Sequence, residues 1–209
     1  MSNHIDAYAE YRRIVGDDDN GTLFTDEEYE RYKKRVFPLR LNNRLYVSWQ
    51  NSKRMDCKLI GPEVKCLCQC RYKNHVTDVD DPDKAGARKL KCKKCSCKGF
   101  VYIWSQGPRQ IKCACKHDAS MHDPAKKKCY GPRCSCTKFH SSFRCPCGET
   151  HDQHKITVET KVERQAAGKP VGQDVPYIAM GGITGFSSLL HGMSRLDPSG
   201  IGDAYRALE

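Results

Sequence analysis

The chain has 209 residues, room for one or two domains, with a formal net charge of +11 and a hydrophobic fraction of 38% that counts its 14 cysteines as apolar. Set those aside and bulky aliphatics are scarce over residues 66–154, so a conventional core is excluded there and metal is expected to supply the folding energy. No run of 18 apolar residues occurs, and the start, with Asp6, Glu10, Arg12 and Arg13, has no apolar segment of a secretory signal; neither a membrane span nor a disulfide framework is expected.

Residues 1–52 read as two short helices and a strand. Ile5, Tyr8, Arg12 and Val15 follow helical spacing, with Tyr11 and Ile14 widening the apolar face, until a Gly-Asp-Asp-Asp-Asn-Gly run from Gly16 breaks it. A second helix starts at Thr25 as N-cap, with Glu28 completing a capping box and Phe24 and Tyr29 placed as a hydrophobic staple. It is expected to stop near Phe37, before Pro38, and residues 45–49 then suit a strand.

Residues 53–155 carry a repeat. Cys-x-Cys-x6-His occurs three times, as Cys66/Cys68/His75, Cys113/Cys115/His122 and Cys145/Cys147/His154. Between these trios lie two triplets, Cys92/Cys95/Cys97 and Cys129/Cys134/Cys136, each ending Cys-Ser-Cys and followed three residues on by Phe100 or Phe139. Each trio is also preceded by an apolar residue and a base: Val64 and Lys65, Ile111 and Lys112, Phe143 and Arg144. Short hairpins and loops are expected here rather than helix, with residues 101–104 as a strand and Gln106, Gly107 and Pro108 as a turn.

This spacing suits metal. In extended chain, residues i and i+2 share a face, so both thiols of Cys-x-Cys reach one ion, and six residues let an imidazole fold back to it. Mixed sulfur and nitrogen donors favour tetrahedral zinc over Mg²⁺ or Ca²⁺, and the regular histidines with no Cys-x2-Cys-x2-Cys run argue against an iron–sulfur cluster. Three to four zinc ions are expected. Two partitions fit equally: a sequential one (Cys66/Cys68/His75/Cys92, Cys113/Cys115/His122/Cys129 and Cys134/Cys136/Cys145/Cys147) and an interleaved one joining Cys95/Cys97 to Cys113/Cys115. Cys57, Cys70, His117, His140 and His151 fall outside the repeat and read first as ordinary buried cysteines or solvated histidines, with a substitute ligand as the alternative for each.

Residues 156–209 differ again. A short polar helix is expected over residues 157–167, ended by Gly168, and the glycine-rich apolar stretch from Met180 reads as an extended partner-binding tail. The fold class is therefore a small zinc-stabilised irregular/β-hairpin domain with short N-terminal helices and an extended C-terminal tail, in three segments, 1–52, 53–155 and 156–209.

Several stretches together resemble the family called family with sequence similarity 221: Glu-Tyr-Arg-Arg-Ile-Val-Gly from Glu10, Leu-Phe-Thr from Leu23 with Glu-Glu-Tyr from Glu27, Asn-Arg-Leu from Asn43 with Val-Ser-Trp from Val47, Met-Asp-Cys-Lys-Leu from Met55, and Lys-Pro-Val-Gly-Gln-Asp from Lys169 with Ala-Met-Gly-Gly from Ala179 and Gly-Phe-Ser-Ser from Gly185. The resemblance implies a Cys/His-rich, non-enzymatic protein of ciliated cells, hence an axonemal or microtubule-bound component of the cytoplasm and cytoskeleton.

Over residues 84–138 there are fifteen Lys or Arg against two acids, Asp118 and Asp123. Such a balance suits a polyanion, yet ten thiolates on three divalent ions would bring the net charge to about +7, so part of the excess balances the metal. Catalysis is not expected, because His-Glu-x-x-His, His-x-Glu and the phosphate-binding glycine loop are all absent and only Cys92/Cys95 has the Cys-x2-Cys spacing of a RING. The leading reading is a structural interaction protein that presents basic surface to an acidic protein partner such as tubulin or another axonemal protein. The alternative is a zinc-dependent nucleic-acid binder, with Lys89, Lys91, Lys93, Lys94, Lys98, Lys126, Lys127 and Lys128 on phosphates and Tyr102, Trp104, Tyr130 and Phe139 stacking on bases.

Overall fold

The structure, a computed structural model, describes residues 2–16, 18–106 and 109–171. The glycine-rich stretch from Met180 and the expected partner-binding tail lie outside the described residues.

Helix α1 (Ser2–Val15) and helix α2 (Asp26–Asn42) share a small core of Tyr11, Ile14, Val15, Tyr32 and Val36. Tyr8, placed on the apolar face by spacing, is instead 54% exposed, because α1 packs through its last turn. The capping box is present: the Thr25 side chain accepts from the Glu28 N–H, and the Glu28 carboxylate accepts from the Thr25 N–H at 2.9 Å. Phe24 packs its ring against Tyr11 and Tyr32. The expected stop near Phe37 is corrected, since α2 runs through Pro38 to Asn42. Two of the three bonds that hold the last turn reach outside the helix: buried Arg40 donates to the Ile14 carbonyl at 2.7 Å and to the Asp78 carboxylate at 2.9 Å, and within α2 it donates to the Tyr32 hydroxyl at 3.1 Å. These charge-assisted bonds offset the hydrogen bond that Pro38 cannot donate.

A three-stranded antiparallel sheet joins distant parts of the chain in the order β2 (Asp56–Leu59), β1 (Tyr46–Gln50), β5 (Lys155–Glu159). Trp49 lies opposite Lys58 on one side and Ile156 on the other. All five β1 residues are buried, as a central strand covered on both faces requires. Val47 and Trp49 face the cysteine-rich region. Behind the sheet, Arg164 of helix α3 (Lys161–Ala166) is fully buried over the Tyr46 ring and donates to Glu159 at 2.8 Å and Asp56 at 3.0 Å.

The helix expected over residues 157–167 is corrected at its start. Ile156, Thr157 and Val158 are β-branched and fill β5, and the helix begins only after Thr160, whose side chain accepts from the Glu163 N–H in a second capping box. The strand expected at residues 101–104 is likewise not formed. Tyr102 makes a single bridge to Cys66, and the Val101 N–H points at the Cys66 sulfur, 3.2 Å away, instead of a neighbouring strand. Two short antiparallel strands, β3 (Ser105–Gln106) and β4 (Arg109–Gln110), follow it, and Gly107 and Pro108 of the expected turn lie outside the described residues. Elsewhere in residues 60–154 the described backbone is loop, isolated bridges and three-residue 3₁₀ turns. Its core mixes Ile60, Leu67, Tyr72, Leu90, Phe100 and Ile103 with buried Cys66, Cys97, Cys113 and Cys145. Among the described residues no helix is long and apolar enough to cross a membrane.

Candidate metal centres

The three trios fold alike. In each, the N–H of the first cysteine donates to the carbonyl four residues on, closing a loop around the second: Cys66 to Cys70 at 3.0 Å, Cys113 to His117 at 3.1 Å, Cys145 to Glu149 at 2.9 Å. The residue before that carbonyl has positive φ each time, at Gln69 (66°), Lys116 (68°) and Gly148 (93°). For glutamine and lysine this backbone is unfavourable, so the surrounding contacts must impose it.

A 3₁₀ turn follows in every copy, Tyr72–Asn74, Ala119–Met121 or His151–Gln153, and delivers the histidine. The imidazole Nδ1 then lies against a carbonyl four residues back: Arg71 for His75 at 3.1 Å, Asp118 for His122 at 3.0 Å and Thr150 for His154 at 2.7 Å. A carbonyl only accepts, so Nδ1 carries the proton and the Nε2 lone pair is left free to bind metal. An aromatic ring holds each imidazole, Phe100 edge-on at His75 and Phe139 edge-on at His122, while Trp49 stacks on His154 at 3.8 Å.

Five groups of four donors result, the donor atoms of each lying within 4.8 Å of one another: Cys57/Cys145/Cys147/His154, Cys66/Cys68/His75/Cys97, Cys68/Cys70/Cys92/Cys95, Cys113/Cys115/His122/Cys136 and Cys115/His117/Cys129/Cys134. The Cys66 and Cys97 sulfurs are 3.9 Å apart and those of Cys113 and Cys136 are 3.7 Å apart. Thiolates about 2.3 Å from the centre of a tetrahedron stand ~3.8 Å apart, whereas bonded sulfurs are ~2.05 Å apart. The spacing is that of metal ligands, and all 14 cysteines are free. Nε2 lies 3.7 Å from a sulfur in both His75 and His122, and 3.3 Å in His154.

Thiols this crowded cannot all ionise unaided. Hydrogen bonding to Cys66, then to Cys97, drives the Cys68 thiol far above its ordinary range, while bonds from Cys66 and Cys68 hold Cys97 far below it. Burial, reinforced by Cys147 and Cys145, pushes Cys57 up to about 12. A divalent cation held by such a group would resolve the conflict by stabilising every thiolate together.

The comparison with known proteins agrees with the sequence resemblance. Residues 11–203 match the FAM221 family model, described as Protein FAM221A/B. The chain belongs to the FAM221 family. It is 57% identical over 200 residues to Protein FAM221A of Xenopus laevis, covering 95% of this chain and 68% of that one. Against Protein FAM221A of Homo sapiens it is 52% identical over 200 residues, covering 95% and 67%. No solved structure matches it.

In this FAM221 chain every one of the fifteen candidate ligands joins a group, and neither partition from the sequence describes how. Each of the first two trios is completed by the last cysteine of the triplet after it, Cys97 or Cys136, and not by Cys92 or Cys129. The first two cysteines of each triplet turn to a second group instead. For Cys57, Cys70 and His117 the geometry favours the alternative over an ordinary buried cysteine or solvated histidine, since each joins a group that could hold an ion. Cys70 and His117 were detectable, because both lie four residues after the first cysteine of their trio. Cys57 carried no such signal, as only the pairing of β2 beside β1 brings it to Cys145. His140 is exposed and lies 3.3 Å from Asp152, while His151 is buried against Trp49, its Nε2 3.1 Å from the Tyr102 carbonyl.

Proposed function

We propose that this chain is a non-enzymatic, zinc-stabilised interaction module that docks basic surface on an acidic protein partner, as a component of a ciliary axoneme or microtubule-bound assembly. One observation carries the structural part: each group already offers four Cys or His donors, which fill a tetrahedral ion and leave no position for substrate or water. Sulfur with imidazole suits zinc among the common divalent ions.

Charge supports the docking part. Lys89, Lys91, Lys93, Lys94, Lys98, Lys126, Lys128 and Lys138 are all exposed on the loops around the groups. Tyr130, 61% exposed, lies with Lys126, Lys128 and Arg133 along a shallow hollow. Fourteen thiolates and five divalent ions would lower the formal +11 to about +7, still strongly basic. The same packing weighs against the nucleic-acid reading. Tyr102 and Phe139 are buried, and Trp104 is half-buried against Trp49 and Phe143, so three of the four aromatics suited to base stacking serve the core. The ciliary and microtubule setting rests on the family resemblance.

The test combines elemental analysis of purified protein with co-sedimentation on microtubules and on RNA and DNA, in a salt series with and without chelator. Co-purifying zinc and chelator-sensitive microtubule binding are expected. Folded protein without metal overturns the proposal. Binding to nucleic acid alone, weakening steeply with salt, moves the function to the alternative.

A further inference from the structure

We infer that Cys68 and Cys115 are bridging thiolates, each shared between two soft divalent ions, so that the chain holds two binuclear centres and one mononuclear centre. The inference rests on the metal-binding reading above and adds its architecture and stoichiometry: five ions rather than three or four.

Counting donors leads there. Cys66, Cys68, Cys70, His75, Cys92, Cys95 and Cys97 form two overlapping groups whose common member is Cys68, and Cys113, Cys115, His117, His122, Cys129, Cys134 and Cys136 form two whose common member is Cys115. Two tetrahedral ions need eight coordination positions. Seven donors fill them only if one is shared. The shared residue is a cysteine in both cases, and it is the same cysteine of the repeat. A thiolate has lone pairs for two ions, whereas an imidazole whose Nδ1 donates to a carbonyl has one, so the chemistry permits sharing at that position and not at His75 or His122.

The repeats corroborate each other in detail. Cys92 N–H donates to the Cys97 carbonyl and Cys129 N–H to the Cys136 carbonyl, both at 3.1 Å. Lys94 N–H reaches the Cys92 sulfur and Gly131 N–H the Cys129 sulfur, both at 3.4 Å, which makes Lys94 and Gly131 equivalent positions. The one ligand difference is matched there. Where the first centre has Cys70 it tolerates Lys94. Where the second has the larger His117, the facing residue is Gly131, and a Cβ on it would stand 2.7 Å from the His117 Nε2. His117 Nδ1 is buried without a hydrogen-bond partner, as a nitrogen reserved for metal would be.

The third trio is an internal control. Its residue equivalent to Cys70 and His117 is Glu149, turned away to accept from the Ser52 N–H at 2.9 Å, and Cys147 belongs to one group only. Its fourth donor comes from β2, and no second ion is assigned there.

The full chain loaded with ¹¹³Cd in place of its native ion tests this by cadmium-to-proton correlation NMR, alongside native mass spectrometry. Five cadmium resonances are expected, with the β-protons of Cys68 and of Cys115 each correlated to two of them and those of every other cysteine to one. Three to five bound ions with no cysteine correlated to two would overturn bridging and leave the metal reading standing. Folded protein that takes up no cadmium or zinc would overturn both. Cys134→Ser is a second measurement, expected to lose one ion while the Cys66/Cys68/His75/Cys97 resonance persists; loss of the second trio's ion together with it counts against separate shells joined by Cys115.

Discussion

Gly131→Ala is the sharpest single substitution this structure offers, because its sign depends on what lies opposite. A glycine replaced by alanine at an unstrained backbone position ordinarily stabilises by about 0.4–1 kcal/mol, since the unfolded chain loses freedom. Here the new Cβ would meet His117 Nε2 at 2.7 Å and Cδ2 and Cε1 at 2.8 Å. Ordinary contact is about 3.5–4.0 Å, so the ring must retreat by roughly 0.7–1.3 Å. A metal site tolerates only about 0.2 Å in a ligand distance. The imidazole is therefore expected to leave its ion, and overpacking of this kind costs about 1–3 kcal/mol, giving net destabilisation of about 1–2 kcal/mol. Lys94→Ala at the equivalent exposed position is expected to change stability by no more than about 0.5 kcal/mol. Denaturant unfolding of zinc-loaded protein, paired with metal counting, reads both effects: one ion lost in Gly131→Ala, none in Lys94→Ala. His117→Cys added to Gly131→Ala restores the ligand pattern of the first centre and should recover the ion. If Gly131→Ala keeps its full metal content and is as stable as the parent, the assignment of His117 as a ligand is refuted.

Trp49→Ala removes a residue that is 2% exposed and stacked on His154, and should cost about 3–5 kcal/mol while weakening the Cys57/Cys145/Cys147/His154 site before the other four, as competition with a graded chelator would report. Arg164→Gln leaves Asp56 and Glu159 paired with Lys169 alone, and a loss of about 1–3 kcal/mol is expected in thermal or denaturant unfolding with metal content unchanged. A strong chelator is expected to abolish the dispersed amide NMR signals of residues 61–154, because that backbone has few regular elements to hold it; retention of those signals in metal-free protein would contradict the metal-dependent fold.

How much of this was legible in the sequence follows from how local each signal is. The capping box at Thr25 and Glu28 lies within four residues and reads directly, and the same Thr-x-x-Glu pattern at Thr160 and Glu163 marks the true start of α3. The end of α2 did not read, because Pro38 argues for a stop while the carbonyl and carboxylate that hold Arg40 from outside the helix belong to Ile14 and Asp78, far away in sequence. Among the ligands, the trios announce themselves through fixed internal spacing. Which triplet cysteine closes which trio is set by hairpin bridges such as His75 to Cys92 and His122 to Cys129. These bring the first triplet cysteine beside the histidine in the backbone, and the bridged strand geometry sends its thiol to the second group. Spacing alone cannot express that. Cys57 lies still further out of reach, since its position depends on a sheet that unites residues 46–59 with residues 155–159.

The three copies also differ in a way that ties charge to architecture. The first centre sets six thiolates and one imidazole around two groups, the second five thiolates and two imidazoles, and the third three thiolates and one imidazole around a single group. With divalent ions these would carry formal charges of about −2, −1 and −1, only partly buried, with an aromatic ring against the histidine of each trio, where an uncompensated charge is costly. Exposed Lys91, Lys93, Lys94 and Lys98 flank the most negative centre, and each N–H that points at a sulfur, from Lys94, Val101, Gly131 and His140, spreads thiolate charge onto the backbone. Lysines near the first centre thus have electrostatic work inside the molecule, whereas Lys126, Lys128 and Arg133 flank a centre with one thiolate fewer and line the hollow beside exposed Tyr130. On charge alone, that second face is the better candidate for meeting an acidic partner, and neutralising it should weaken docking more than the same change around the first centre.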